Sequence, residues 1–448
     1  MNHLTAQIDL LFEDIMVVTP DSDLGMDVLT HQYVAISKGA IKAVSADRKT
    51  ACSALGDEFQ TYAGENRVLM SSFANAHGHL PMTLMRNTAD DLPLHDWLFN
   101  NIFPRESKLT EKEVYAGANL AMLEMVRGGT TCAADMYYYS EAVARAALEA
   151  GFRLNLCCEG KGENSAGEAV LKTGEAKEFV EQYDGAGEGL LKVSLLVHSI
   201  YLYEENMYRK LSGLAKRLGI GIQVHVSETK KEVQDCLRAY GMRPPEKLAA
   251  EGVFDVPTVA AHCVWLDRQD REILKLHNVT CVHNPVSNLK LGSGIADVQS
   301  MLDSGLKVAL GTDGAASNNR LDMFQEMRLA SLLPKGVFLD PVRMTAPNVL
   351  RIATKNGYEG LGFSQAGRVA PGMRADLQVI NLTDANIQPT IYEDEPECVL
   401  SALVYSAGPE NVESVYCDGR CLMHKNTFLT IDEEKVMAEA LHAARRMR

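Results

Sequence analysis

Positive charge is what this chain is short of: 44 lysines and arginines stand against 59 aspartates and glutamates in 448 residues, a formal net charge of −15. A surface so biased repels polyanions, which argues against nucleic acid or an acidic membrane as partner and favours a small neutral or cationic substrate. Cysteine pairing is missing too. The ten cysteines, at 52, 132, 157, 158, 236, 263, 281, 398, 417 and 421, show no CxxC spacing. Several lie within apolar runs, which reads as reduced, buried side chains of a cytoplasmic protein rather than a disulfide framework. The first apolar stretch, in MNHLTAQIDLLFEDIMVV, carries acids and has no basic leader, so neither a signal peptide nor a membrane span is expected there. Short-period repeats, low-complexity tracts and long linkers are also lacking. What is present, 46% hydrophobic and 23% charged residues over 448 positions, suffices for one large domain with a full core and a smaller one beside it.

The order of patterns along the chain suggests how those domains are built. Up to about residue 67 the sequence offers only short strand candidates: Asp9 to Val18, then Tyr33 to Ile36 leading into a hairpin with its turn at Gly39. No helix is expected in this stretch. From Val68 onward, eight apolar runs follow, near 68–74, 130–135, 152–157, 193–197, 220–226, 258–262, 279–283 and 306–310. Between them, stretches such as Glu111 to Arg127, Tyr138 to Ala150, Glu204 to Leu218 and Arg268 to Leu276 repeat their apolar residues at helical spacing. Strand and helix alternating eight times with right-handed crossovers closes into an α/β (β/α)₈ TIM barrel. After about residue 365, Leu377 to Ile380 and Val415 to Cys417 return to β character. The expected architecture is a barrel over 68–365 and a small β-sandwich made from 1–67 and 366–448.

Histidines and one aspartate stand at the ends of these runs. His77 and His79, two apart after the first run, project to the same side of an extended backbone. His225 ends the fifth run, His262 the sixth, and Asp313 follows the eighth. Strand ends of a barrel converge at its C-terminal face, so these side chains are aimed at one point. Three imidazoles and a carboxylate suit zinc or ferrous iron, and the lack of a thiolate among them disfavours a closed structural site, leaving a position open for water. Glu228, three residues past His225, is the candidate general acid/base, with an exposed loop glutamate of SETKKE as the bland alternative. Asp313 is suited to accept a proton besides touching the metal, and His262 to position the attacking water instead of, or as well as, ligating. A binuclear site would need a lysine at the end of the third or fourth strand, where His198 stands instead and Lys192 lies at the strand's start.

Five longer stretches, NAHGHLPMTLMRN, VHVSETKKE, AAHCVWLDRQD, HNPVSNLKLGSGIADVQSML and GTDGAASNNRLDMFQEMRLASLL, closely resemble the amidohydrolase superfamily. Within it the chain looks like the deaminases of methylthioadenosine and S-adenosylhomocysteine, relatives of the triazine hydrolases. The resemblance extends over nearly the whole chain, through PGMRADLQVINL and VYCDGRCL near its end. It implies one divalent metal per chain, zinc foremost with Fe2+ or Mn2+ as the other choices, held by His77, His79, His225 and Asp313, with Glu228, His262 and Asp313 catalytic. It further implies a substrate-binding set of Trp97, packed on the nucleoside, Glu106, holding ribose hydroxyls, His198 and Glu228. For Trp97 the bland reading is a core side chain, and for Glu106 a helix cap.

The expected reaction is therefore hydrolytic deamination of the adenine of a 5′-modified adenosine, such as methylthioadenosine, S-adenosylhomocysteine, 5′-deoxyadenosine or adenosine itself, giving the inosine-type product and ammonia. Hydrolysis of another ring (guanine, pterin, triazine or a cyclic amide) and a non-catalytic metal-binding scaffold are the alternatives. Two departures bear on the choice. The first motif reads HGH where HTH is usual. Where the adenosylhomocysteine deaminases place arginines for the distal end of the substrate, this chain has CCEGKGENSAGE, with no arginine between Arg153 and Arg209. Lys161 supplies a point charge there but not the planar fork that matches a carboxylate. The 5′ substituent, the metal's identity and the assembly state, a homo-oligomer included, stay open at the level of sequence.

Overall fold

The computed structural model describes residues 9–21, 25–92, 96–158, 175–202, 205–389, 391–392 and 394–447. Lys161 and most of CCEGKGENSAGE lie outside the described residues.

Eight strands, Phe73–Asn75, Thr130–Asp135, Arg153–Cys158, Leu191–Leu196, Gly221–Val226, Thr258–His262, Thr280–His283 and Lys307–Leu310, lie side by side in chain order, all parallel. Both faces of these strands are covered, so nearly every residue in them is buried and burial runs on continuously rather than alternating. The ring joins where the Ala76 N–H donates to the Leu310 carbonyl at 2.9 Å and the Asp313 N–H to the His77 carbonyl at 3.0 Å. Helices Glu111–Arg127, Ser140–Ala150, Glu205–Leu218 and Arg268–Leu276 occupy the stretches with helical spacing. Their ends have local causes: Thr110 and Glu113 form a capping box before the first, and Asp267 accepts from the Asp270 N–H before the last.

Both chain ends contribute to a second, mixed sheet of nine strands, which has its own apolar core around Phe12, Val34, Leu69, Leu377 and Tyr416. Three details differ from the sequence reading. The run near 68–74 is two strands, not one: Arg67–Ser71 pairs in the terminal sheet, and Phe73–Asn75 opens the barrel. Ser72 between them is buried and bonds to Thr131 and Tyr358 at 2.6 and 2.8 Å. The first segment does hold a helix, Arg48–Cys52, a single turn started by Asp47 accepting from the Thr50 N–H at 2.9 Å. Glu433–Arg446 forms a further helix, capped by Asp432, where only β character was expected.

The two sheets are fastened by a buried ion pair. Arg153, opening the third barrel strand, donates from Nε and Nη2 to both carboxylate oxygens of Asp376 at 2.6 and 2.9 Å, next to the terminal-sheet strand Leu377–Asn381. The side chains are 4% and 0% exposed, so removing one partner strands an unbalanced charge away from water. Arg153→Ala is expected to lower unfolding stability by ~3–5 kcal/mol. Urea unfolding measures this; an unchanged midpoint would show that the pair is not what holds the sheets together.

Candidate metal centre and active site

Five side chains from four strand ends meet at the C-terminal mouth of the barrel. One ligand atom from each of His77, His79 and His225, and likewise from each of His77, His262 and Asp313, lies within 4.8 Å of the others in its set. The Asp313 Oδ1 is 3.3 Å from His77 Nε2 and 3.2 Å from His79 Nε2. These residues can hold one metal ion.

Some of the chain's strained backbone lies at the same place. Ser227, His262, Cys263 and Asp313 all adopt positive φ, at 50°, 71°, 49° and 63°, which non-glycine residues rarely do. Each lies in or just past a barrel strand, where the chain must turn sharply to aim a side chain inward, and such strain persists only where surrounding structure enforces it.

The imidazoles are set in a defined tautomer. His79 Nδ1 contacts the Met136 carbonyl at 2.6 Å and His225 Nδ1 the His198 carbonyl at 2.7 Å. A carbonyl only accepts, so each Nδ1 carries a proton and each Nε2 faces the centre. His262 does the same through Asn288 Oδ1 at 2.8 Å. His77 Nε2 is buried and, beyond its 3.3 Å contact with Asp313 Oδ1, makes no well-formed hydrogen bond among the described residues, as suits a metal ligand. Burial pushes His77 down to about 4 and, with its neighbouring imidazoles, holds His225 well below the usual histidine value, so both are neutral, as ligands must be. Burial opposes charge on His79 as well, but its hydrogen bond to Asp313 lifts it to about 9. The proton there balances a carboxylate that a divalent cation would balance instead. Asp313 itself, although buried, is held well below the usual carboxylate value by His77 and His79, and its other oxygen accepts from Ser287 at 2.6 Å and Ser317 at 2.8 Å.

Beside this cluster, Glu228 is buried rather than an exposed loop residue. Its Oε2 is 3.9 Å from His262 Nε2, and its Oε1 accepts from the Ser293 hydroxyl at 2.9 Å. The turn that carries it is clamped by Glu232, whose two oxygens accept the N–H groups of Ser227 and Glu228 at 2.8 and 2.7 Å. Burial, reinforced by Glu228, raises Glu232 to about 7. Ser293 is fixed in turn by the Trp265 indole, which donates to its carbonyl at 2.7 Å.

A cleft enclosing about 670 Å³ of empty space, part of it open to solvent, lies over the cluster. Trp97, Glu106 and His198 line it together with His79, His225, Glu228, His262 and Asp313, so every candidate site residue except the buried His77 reaches one pocket. Trp97 comes from a π-helical turn, Trp97–Ile102, and Glu106 from the short helix Phe103–Glu106 that follows. Among the described residues Glu106 is not a helix cap but accepts from the Tyr137 hydroxyl at 2.7 Å, and its depth in the molecule raises its pKa. His198 is pushed down to about 3 by burial and then by His79 and His77. The rest of the wall, including Met82, Leu98, Phe103, Met136 and Tyr138, is apolar or aromatic, and no arginine or lysine lines it among the described residues. Residues not anticipated from the sequence are Tyr137, Asn288, Ser293 and Glu232, each acting through another side chain. No helix among the described residues is long and apolar enough to cross a membrane.

Residues 68–422 match the amidohydrolase family. Over 422 residues, 94% of this chain and 96% of the relative, the sequence is 42% identical to a 5-methylthioadenosine/S-adenosylhomocysteine deaminase of Acetivibrio thermocellus. Over 392 residues, 87% and 90% of the two chains, it is 41% identical to a 5′-deoxyadenosine deaminase of Methanothermobacter thermautotrophicus. The crystal structure of an adenosine deaminase from Xanthomonas campestris with bound zinc aligns over 98% of this chain and 99% of its own at a TM-score of 0.90 and 32% identity.

Proposed function

This chain belongs to the amidohydrolase family, and from that premise we propose that it is a metal-dependent deaminase of 5′-modified adenosines. One divalent ion, most simply zinc, is held by His77, His79, His225 and Asp313. The observation that carries the reading is the position of Glu228: a buried carboxylate fixed by Ser293 beside that ligand set, in the pocket it shares with Trp97 and Glu106.

When bound, the metal supplies a water ionised near neutral pH, its pKa brought to about 7. The chain's own residues do the rest. His262, its Nδ1 proton fixed on Asn288, keeps Nε2 as an acceptor that orients the attacking water. Glu228 carries the first proton of that water to a ring nitrogen of the purine, which makes the amino-bearing carbon electrophilic. Asp313 takes the second proton and returns it to the departing amine, so ammonia leaves and the ring carbon keeps the oxygen. Trp97 packs on the nucleoside, Glu106 accepts from ribose hydroxyls, and His198 closes the wall.

The apolar, aromatic wall suits an uncharged 5′ substituent. Ammonia release from 5′-methylthioadenosine, 5′-deoxyadenosine, adenosine, S-adenosylhomocysteine, guanine and a triazine tests the whole reading. Turnover of the first two is expected, with kcat/KM at least ~10-fold above that for S-adenosylhomocysteine, whose charged amino-acid end meets no lysine or arginine among the described residues lining the cavity. Turnover of guanine or the triazine alone would contradict it.

A further inference from the structure

Three consecutive residues leaving the second barrel strand each send a different bond into the site. Asp135 Oδ1 accepts the Leu80 N–H at 2.7 Å, the Met136 carbonyl accepts from His79 Nδ1 at 2.6 Å, and the Tyr137 hydroxyl donates to Glu106 Oε1 at 2.7 Å. One short stretch of backbone thus fixes a metal-site histidine and, one residue on, the orientation of a carboxylate on a separate segment. Tyr137 is 4% exposed, lines the cavity, and has its ring centroid 6.3 Å from that of His79. Its place is therefore rigid relative to the reacting centre.

We propose that Tyr137 is a positioning residue that sets the selectivity of the site for a ribose over a deoxyribose sugar, acting through Glu106. The inference rests on the nucleoside reading above and deepens it. A carboxylate has two oxygens; with one tied to the phenol, the other is left to accept from a sugar hydroxyl in a single direction. A substrate lacking that hydroxyl leaves a buried acceptor unpaired, which is how sites built to bond an OH reject its absence far more strongly than they reject a missing methylene. Without the phenol, Oε1 is bare against apolar surroundings. The carboxyl group then turns, or takes up a proton, and no longer distinguishes the two sugars.

The test compares kcat/KM for 5′-deoxyadenosine and 2′,5′-dideoxyadenosine on the zinc-loaded full chain, for the unaltered protein, Tyr137→Phe, Glu106→Gln and the double variant. The unaltered protein is expected to prefer the ribonucleoside by at least ~100-fold. Tyr137→Phe is expected to cut that preference by about tenfold or more, through a raised KM for the ribonucleoside with kcat and the deoxy substrate little changed. Adding Tyr137→Phe to Glu106→Gln is expected to change the preference no further. A preference untouched by Tyr137→Phe, or an equal loss on both substrates, would overturn the inference while leaving the deaminase reading intact. If Tyr137→Phe does not fold, Glu106→Gln alone decides: a preference retained there overturns the inference. Failure of the unaltered protein to deaminate either nucleoside would overturn both.

Discussion

Glu228→Gln is expected to lower kcat by ~10²–10⁴-fold while the protein keeps its metal and its KM shifts little. The substitution is nearly isosteric. Its amide oxygen can still accept from Ser293, which holds Oε1 at 2.9 Å in the unaltered protein, so the turn clamped by Glu232 has no reason to move. What is lost is the ability to take a proton from water and pass it to the ring. A fall in kcat and kcat/KM together, with binding preserved, is the signature of a group that acts only on the way to the transition state. Steady-state kinetics and metal content on the same sample measure both halves. Unchanged kcat would remove Glu228 from the mechanism, and loss of metal would move it into the ligand set.

His225→Ala is expected to abolish metal retention and turnover together. His225 is one of three imidazoles whose ligand atoms lie within 4.8 Å of one another, and its ring is fixed by the His198 carbonyl. Loss of a group that merely orients a ligand weakens metal affinity by about 10–100-fold, so loss of the ligand itself should exceed that range. The truncation also removes a ring packed 4.9 Å from His77 and 5.3 Å from His262, freeing both to move. Dialysis against a graded series of chelator concentrations, followed by metal analysis, gives the affinity of each protein. Retention of metal as tight as in the unaltered chain would place His225 outside the coordination sphere.

Much of this site was legible in the sequence because barrel geometry converts a one-dimensional pattern into a place. A buried parallel strand is a short apolar run, and a polar residue at or just past its C-terminal end faces the mouth; His225 and His262, in the last two positions of their strands, and Asp313, just beyond its own, follow that rule. The apolar pattern failed where apolar character ran on without a break. Nothing in the run near 68–74 except Ser71 and Ser72 shows that the chain leaves one sheet and enters another. The helix Glu433–Arg446 did leave a signal, with Asp432 as cap and Val436, Ala440 and Ala443 buried at helical spacing. Glu232 was also within reach, since Thr229 accepts from its N–H in an arrangement of the T-x-x-E kind. Ser293 and Tyr137 were not. They meet Glu228 and Glu106 across 65 and 31 residues of sequence, through loops whose approach depends on the closed ring and leaves no local pattern.

Metal stoichiometry joined to activity tests the central claim most directly. The full chain, stripped by chelation and then titrated with zinc, iron or manganese, should bind one ion per chain and regain 5′-deoxyadenosine deamination in proportion to occupancy, with saturation at one equivalent. Protein that binds no ion, or that binds one and stays inert towards every adenosine offered, would contradict it.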